Sequence, residues 1–255
     1  MSKVIMLDPG HDRAADNPSP VVKEYCEGRQ MWRLYELLKP ELEKRGFTVK
    51  GTKSRVDEAI TVTQRGRMAK GCDLLISLHS NACATESVDR PVGIYFVEDG
   101  CGADEASQEA AQLLAGVVAQ VMGTSPAQCY SRTASSDRDG DGNKNDDYYG
   151  VLYGAHQVGV PGVILEHSFH TNTRAAQWLL DEENLRQLAA AEAQALAGYY
   201  GMAGFDDVPE DAWYAEAVRW AVGQGITEGI DERHFGPEEL CTRAQVVSFL
   251  YRMSK

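Results

Sequence analysis

The sequence predicts an α/β protein: a mixed, largely parallel central sheet flanked by helices, followed by a small α-helical repeat. Three observations carry that expectation. Short apolar runs alternate with stretches of helical spacing up to about residue 200. Several of those runs end on polar residues suited to chemistry. The texture then changes at Gly201-Met202-Ala203-Gly204, which reads as a linker. The expected domains are residues 1–201 and 204–255.

Val4–Leu7 is an apolar strand stopped by Pro9-Gly10. From Gly28 to Arg45, Met31, Leu34, Tyr35, Leu38 and Leu42 recur at helical spacing, and Pro40 is expected to bend or break that helix. Phe47–Lys50 follows as a strand, and Ile60–Lys70 as a short helix. Cys72–Leu78 is an apolar strand ending at His79, and Val92–Val97 is another. An Ala- and Leu-rich helix runs from about Glu105 to Met122. Gly162–Glu166 is a last buried strand, and Asn184–Tyr200 a last amphipathic helix. Beyond the linker, Trp213, Ala217, Trp220 and Ala221 share one helical face. Thr242 is placed to cap a final helix carrying Val246, Val247, Phe249 and Leu250.

Bulk composition narrows the function classes. A length of 255 residues allows one large domain, or a medium one with an appendage, and 43% hydrophobic content supplies a core. A net charge of −13 argues against nucleic acid as the main partner, because phosphate binding depends on Lys and Arg. Six cysteines without a CxxC pair read as scattered reduced thiols. No run is long and apolar enough to insert in a membrane. The first strand begins without a signal-peptide pattern, so the expectation is synthesis in the cytoplasm, unless a leader has been removed. Asp137-Arg138-Asp139-Gly140-Asp141-Gly142-Asn143 opens like a calcium loop. Its twelfth position is Tyr148 instead of Glu, and a solvated Asp/Gly loop is the competing reading.

Three strand ends carry metal-capable residues: His11, His79 and Glu166. A carboxylate near the start of the first helix, Glu24 or Glu27, is a fourth. Two histidines and one carboxylate leave a tetrahedral zinc ion one open position for water. A separate carboxylate can then move the proton, a role that suits Glu166. Any single histidine here has a structural role as its blander alternative. A glutamate directly after Gly-Val-Ile-Leu is harder to dismiss, since charge at a buried strand end is costly without a partner.

Leu7-Asp8-Pro9-Gly10-His11, a glutamate opening a helix, Ser77-Leu78-His79-Ser80-Asn81 and Leu165-Glu166-His167-Ser168-Phe169 resemble, in that order, the zinc-dependent N-acetylmuramoyl-L-alanine amidases. The resemblance implies one catalytic zinc and hydrolysis of the amide between N-acetylmuramic acid and L-alanine in peptidoglycan. Carried over by position, His11 and His79 are zinc ligands and Glu166 is the catalytic carboxylate. For the third ligand, counting back from Arg45-Gly46-Phe47 favours Glu27, and the string Val22-Lys23-Glu24-Tyr25 favours Glu24; Glu27 is chosen for its register in the long helix. The sequence departs from the commoner pattern at Asp12-Arg13, where a glycine usually follows the histidine, and at His167 and His170. These two histidines are assigned either to contact with the stem peptide or to packing, His170 at most as a support to the ligands.

The C-terminal segment resembles a single S-layer homology repeat, through Phe205-Asp206-Asp207-Val208, Trp213-Tyr214, Gly225-Ile226-Thr227, Phe235, Pro237 and Thr242-Arg243-Ala244-Gln245. That resemblance implies attachment to an anionic secondary cell-wall polymer, with Arg243 as the polymer contact. Such repeats usually act in threes, so self-association is one expectation and buttressing of the first domain another. The combined expectation is a peptidoglycan amidase acting at the bacterial cell wall, of endolysin type. A secreted autolysin, a zinc peptidase of the peptide stem and a non-catalytic wall-binding protein are the alternatives.

Overall fold

The structure, a computed structural model, describes residues 3–98, 102–138, 140, 142, 144, 146–201, 205–209, 211–224, 226–231 and 234–253. Strand β1 (Val4–Pro9) leads to helix α1 (Glu27–Lys44), β2 (Thr48–Gly51), α2 (Val62–Arg67), β3 (Leu74–Asn81) and β4 (Val92–Tyr95). A short hairpin follows, β5 (Val97–Glu98) and β6 (Gly102–Ala103), then α3 (Glu105–Met122), β7 (Gln128–Tyr130), α4 (Gly150–His156) and β8 (Gly162–Phe169). The remaining elements are α5 (Thr173–Leu180), α6 (Glu182–Tyr199), α7 (Ala215–Gly223) and α8 (Arg243–Met253). Contacts divide the chain into Met1–Ala190 and Ala191–Lys255, a division that falls inside α6.

The main sheet has the order β2-β1-β3-β8-β4-β7. β2, β1, β3 and β8 are mutually parallel, β4 runs antiparallel to β8, and β7 is parallel to β4. Of these, β1, β3 and β8 are mostly apolar and buried, as strands covered on both faces are, while the edge strand β2 (Thr-Val-Lys-Gly) is partly exposed. On one face Met6, Leu75, Val92, Ile94 and Ile164 form a core with Val151, Leu152 and Ala155 of α4. The opposite face receives α3 closely: a Cβ on Gly93 would lie 2.5 Å from the Ala111 carbonyl oxygen, so only glycine admits that helix there. Helix α3 is capped at both ends, by the Asp104 side chain on the Ser107 amide and by Gly123 in the left-handed conformation.

Several expectations need correction. Pro40 does not break α1, which runs through it. Pro40 is on the exposed face, where water can satisfy the carbonyl that its missing N–H leaves unbonded. β8 continues three residues past Glu166, and β3 reaches Asn81. The sequence reading had no counterpart for α4, α5, β7 or the β5–β6 hairpin. The calcium expectation finds no support. Asp139, Asp141 and Asn143 lie outside the described residues. Asp137 accepts the Gly140 and Gly142 amides at 2.7 and 3.1 Å, Asp146 accepts the Arg138 amide, and Asp147 accepts the Tyr149 amide at 2.6 Å. These carboxylates are thus turned toward backbone amides, and Tyr148 lies under the Arg132 guanidinium at 3.7 Å.

In the C-terminal unit, α7 buries Ala215, Val218 and Val222. Trp213 precedes α7 and is 92% exposed, while Trp220 sits half out of the surface. The face expected from Trp213, Ala217, Trp220 and Ala221 is therefore the outer one. Asp207 accepts the Phe235 and Gly236 amides, both at 2.8 Å, and closes the loop before α8. Thr242 and Gln245 form a reciprocal capping box on α8: Thr242 Oγ1 accepts the Gln245 amide, and Gln245 Oε1 accepts the Thr242 amide. Five cysteines are free thiols, and the sixth, Cys101, lies outside the described residues. Among the described residues no helix is long and apolar enough to cross a membrane.

Candidate active site

The site forms at the carboxyl edge of the parallel strands, where loops have freedom to carry polar groups. β1 ends at Pro9 and the chain turns at Gly10 and His11. The Gly10 amide donates to the Leu78 carbonyl at 3.0 Å, tying the turn to β3. A Cβ on Gly10 would lie 2.4 Å from the His79 ring, so this glycine is the seat of that ring. His11 has φ +63°, a left-handed conformation costing about 1–2 kcal/mol for a residue of this kind. Beneath the turn, buried Asp8 accepts Thr52 Oγ1 and Ser77 Oγ, each at 2.6 Å, and pairs with Arg65 at 3.2 Å.

Glu27 opens α1 and points inward, only 2% exposed. Its Oε1 lies 2.9 Å from His11 Nε2 and 2.9 Å from His79 Nδ1, and accepts the Ser80 amide at 2.9 Å. Its Oε2 accepts Asn17 Nδ2 at 3.0 Å. Burial pushes this carboxyl up, but hydrogen bonds from His11 and His79 outweigh burial and hold it well below the usual carboxylate range. Glu24 lies before the helix, not one turn along it, and is exposed. Gly28 lets α1 start this close: a Cβ there would meet the Arg13 carbonyl oxygen at 2.0 Å.

One ligand atom from each of His11, Glu27 and His79 falls within 4.8 Å of the others. Donors about 2.0–2.1 Å from one zinc ion lie roughly 3.3 Å apart, so the 2.9 Å spacings need only a small opening to admit it. Two imidazoles and a carboxylate are a donor set suited to zinc, and the trio leaves a fourth position open.

Glu166 stands beside this trio because β3 and β8 pair in register, His79 opposite Glu166. Its Oε2 is buried without a hydrogen-bond partner. Burial, and then the negative charge of Glu27, push its carboxyl well above the usual range. Two neighbouring carboxyls are thereby driven apart, one firmly ionised and one inclined to hold its proton.

A supporting layer surrounds these groups, of which His170 alone had been singled out from the sequence as a support. Tyr25 donates to Ser80 Oγ at 2.7 Å and stacks on His170 at 5.8 Å. His170 Nδ1 lies 2.9 Å from the Ser80 carbonyl and 3.8 Å from Glu27 Oε2, and Ser19 holds the His170 carbonyl at 2.6 Å. Burial lowers the His170 pKa, which favours the neutral ring. His167 is fully buried, with Nδ1 2.9 Å from the His79 carbonyl, so it packs behind the site. Lys53 Nζ reaches the His11 carbonyl at 2.6 Å. The one sequence signal for this layer was the run of polar residues beside the motifs. Arg243 is exposed, in the first turn of α8 in the C-terminal unit.

Comparison with known proteins finds relatives of both the fold and the sequence. A 56-residue stretch is 39% identical to a cell surface protein of Thermoanaerobacter kivui, covering 22% of this chain and 7% of that one. The fold is similar to Cwp6 from Clostridium difficile, with a TM-score of 0.62 and 19% identity, over 76% of this chain and 28% of Cwp6. It is also similar to the catalytic domain of CwlV, an N-acetylmuramoyl-L-alanine amidase from Bacillus (Paenibacillus) polymyxa var. colistinus. There the TM-score is 0.63 at 18% identity, over 78% of this chain and 99% of that one. The chain thus spans less than a third of Cwp6 and a small fraction of the cell surface protein. Residues 204–247 match the S-layer homology domain. Residues 5–198 match the N-acetylmuramoyl-L-alanine amidase family, and with its motifs assembled on one sheet edge the chain belongs to that family.

Proposed function

We propose that the chain is a zinc-dependent N-acetylmuramoyl-L-alanine amidase of peptidoglycan, with His11, Glu27 and His79 as zinc ligands and Glu166 as the catalytic carboxylate. The supporting observation is the convergence of three donor groups within 4.8 Å, beside a carboxyl whose Oε2 is buried and unpartnered. A zinc ion held there supplies Lewis acidity, polarising the scissile carbonyl and making water a competent nucleophile near neutral pH. Glu166 takes the proton of the attacking water at Oε2. It then delivers that proton to the L-alanine nitrogen as the carbon–nitrogen bond breaks, leaving a muramyl carboxylate and a free amine. A carboxyl pushed upward by burial is suited to both halves of that transfer. Ser80 and Asn17 hold Glu27 in place by their hydrogen bonds, and Tyr25 and His170 hold Ser80.

The test is product analysis of digested muropeptides. The expected products are free stem peptides with an L-alanine amino terminus and glycan strands without peptide. Cuts inside the stem with the sugar link intact would identify a stem peptidase instead. No release of either kind would leave a wall-binding protein.

We further propose that residues 1–201 are the catalytic domain and 204–255 a wall-attachment repeat that takes an anionic wall polymer through Arg243. The exposed guanidinium offers a planar fork to carboxylate or phosphate, on a helix start fixed by the Thr242–Gln245 box. Self-association of the lone repeat is a further proposal, for which α8 offers the exposed side chains of Val246, Val247, Leu250, Tyr251 and Met253.

A further inference from the structure

We propose that Lys53 is a positioning residue for the metal site, holding His11 in its ligating geometry through the backbone. The inference rests on the zinc reading of His11, Glu27 and His79. Lys53 lies outside every motif that carries the family resemblance, yet it reaches the first of them. β2 ends at Gly51, and the chain continues beside β1: the Thr52 amide donates to the Leu7 carbonyl at 3.0 Å, and Thr52 Oγ1 to Asp8 at 2.6 Å. The next residue is thereby set beside the Gly10-His11 turn. Lys53 is only 4% exposed. Its Nζ donates to the His11 carbonyl at 2.6 Å and approaches the Gly10 carbonyl at 3.4 Å.

A buried ammonium is costly and ordinarily finds a carboxylate. Here the nearest buried carboxylate, Asp8, is already paired with Arg65, and the acceptors of Lys53 are main-chain carbonyls. The cation is therefore spent on the backbone of one turn. That turn needs holding: His11 carries φ +63°, a conformation that persists only where its surroundings impose it. Lys53 Nζ also lies 5.9 Å from the ring centre of Trp32, on the helix that Glu27 opens. One side chain thus links the Gly10 and His11 carbonyls to the helix that bears Glu27. The imidazole approaches Glu27 in the direction this anchored backbone allows. With Lys53 removed, the turn is free to relax toward an ordinary φ and carry the ring away from Glu27 and His79.

The experiment compares the full chain with Lys53→Met and Lys53→Arg. Zinc affinity is read by competition with a chromophoric chelator, and site geometry by the visible spectrum of the cobalt-substituted protein. Lys53→Met is expected to bind zinc about 10–100-fold more weakly, the range for partners that orient metal ligands, and to change the cobalt spectrum. Lys53→Arg, which keeps a cationic donor, is expected to recover both. Unchanged affinity and an unchanged spectrum in Lys53→Met overturn the proposal. Should Lys53→Met lack the circular dichroism of the folded chain, Lys53→Gln takes its place, with the same two outcomes. A wild-type chain that binds no zinc overturns the metal reading itself, and this proposal with it, whereas tight wild-type binding with an indifferent Lys53 overturns this proposal alone.

Discussion

At Glu27 two lone pairs of one carboxylate oxygen face two imidazoles, and the buried position leaves that charge no solvent to turn to. Glu24, three residues earlier, is exposed and precedes the helix. Glu27→Ala should therefore lose its zinc, measured by elemental analysis of the purified chain, while Glu24→Ala keeps one ion. The reverse result would reassign the third ligand. Glu166 lends itself to a test of sign. Its carboxyl is raised in the folded state, so the folded protein binds more protons than the unfolded one between the two pKa values. Stability of the zinc-free protein is therefore lost as pH climbs from the ordinary carboxyl value of about 4.3 toward the raised one. Glu166→Gln removes that penalty. The variant should melt at a higher temperature than wild type at pH 8, with the difference fading near pH 4. It should also lose about 10²–10⁴-fold in amide cleavage, the usual worth of a positioned proton carrier. Equal melting temperatures at pH 8 would mean that the carboxylate is not destabilised by its surroundings.

The elements that bear chemistry were those most legible in the sequence. β1, β3 and β8 are dominated by apolar residues, and each leads into a polar residue, His11, His79 or Glu166, at or just past its apolar run. Parallel pairing in register then sets His79 beside Glu166, a relation that follows from topology and that no local pattern encodes. The elements that went unread are those whose signal is weakest. β7 is three residues long, and α4 is a seven-residue helix whose Gly150 and Gly154 argue against helix. Tertiary context explains those glycines: a Cβ on Gly154 would meet the Thr63 carbonyl oxygen at 2.2 Å, so the close approach of α2 requires them. The supporting polar layer was legible only at His170, for the same reason. Tyr25, Ser80 and His170 are far apart in the chain and are joined only by the fold. Pro40 misled because propensity describes a helix interior without saying which side faces water.

At the scale of the whole molecule, an amidase-family segment and a small S-layer homology segment share one acidic chain with a net charge of −13. Under the proposed reading, attachment to an anionic polymer has to be local, against the overall repulsion, through a few cations such as Arg243. Arg243→Gln should weaken sedimentation of the chain with purified walls and leave cleavage of soluble muropeptides unchanged. Loss of both activities together would indicate instead that the repeat supports the fold of the enzyme. Self-association through α8 should appear as a concentration-dependent mass in analytical ultracentrifugation, reduced by Leu250→Glu on its exposed face.

In the proposed reading His11, Glu27, His79 and Glu166, from separate segments, make a single zinc-dependent amide hydrolase. The most direct test of that reading is the release of L-alanine amino termini from purified peptidoglycan by the chelator-treated chain, before and after zinc is returned. No release by the metal-free protein and full recovery with one equivalent of zinc are expected; undiminished release without metal would mean that these residues do not work through zinc.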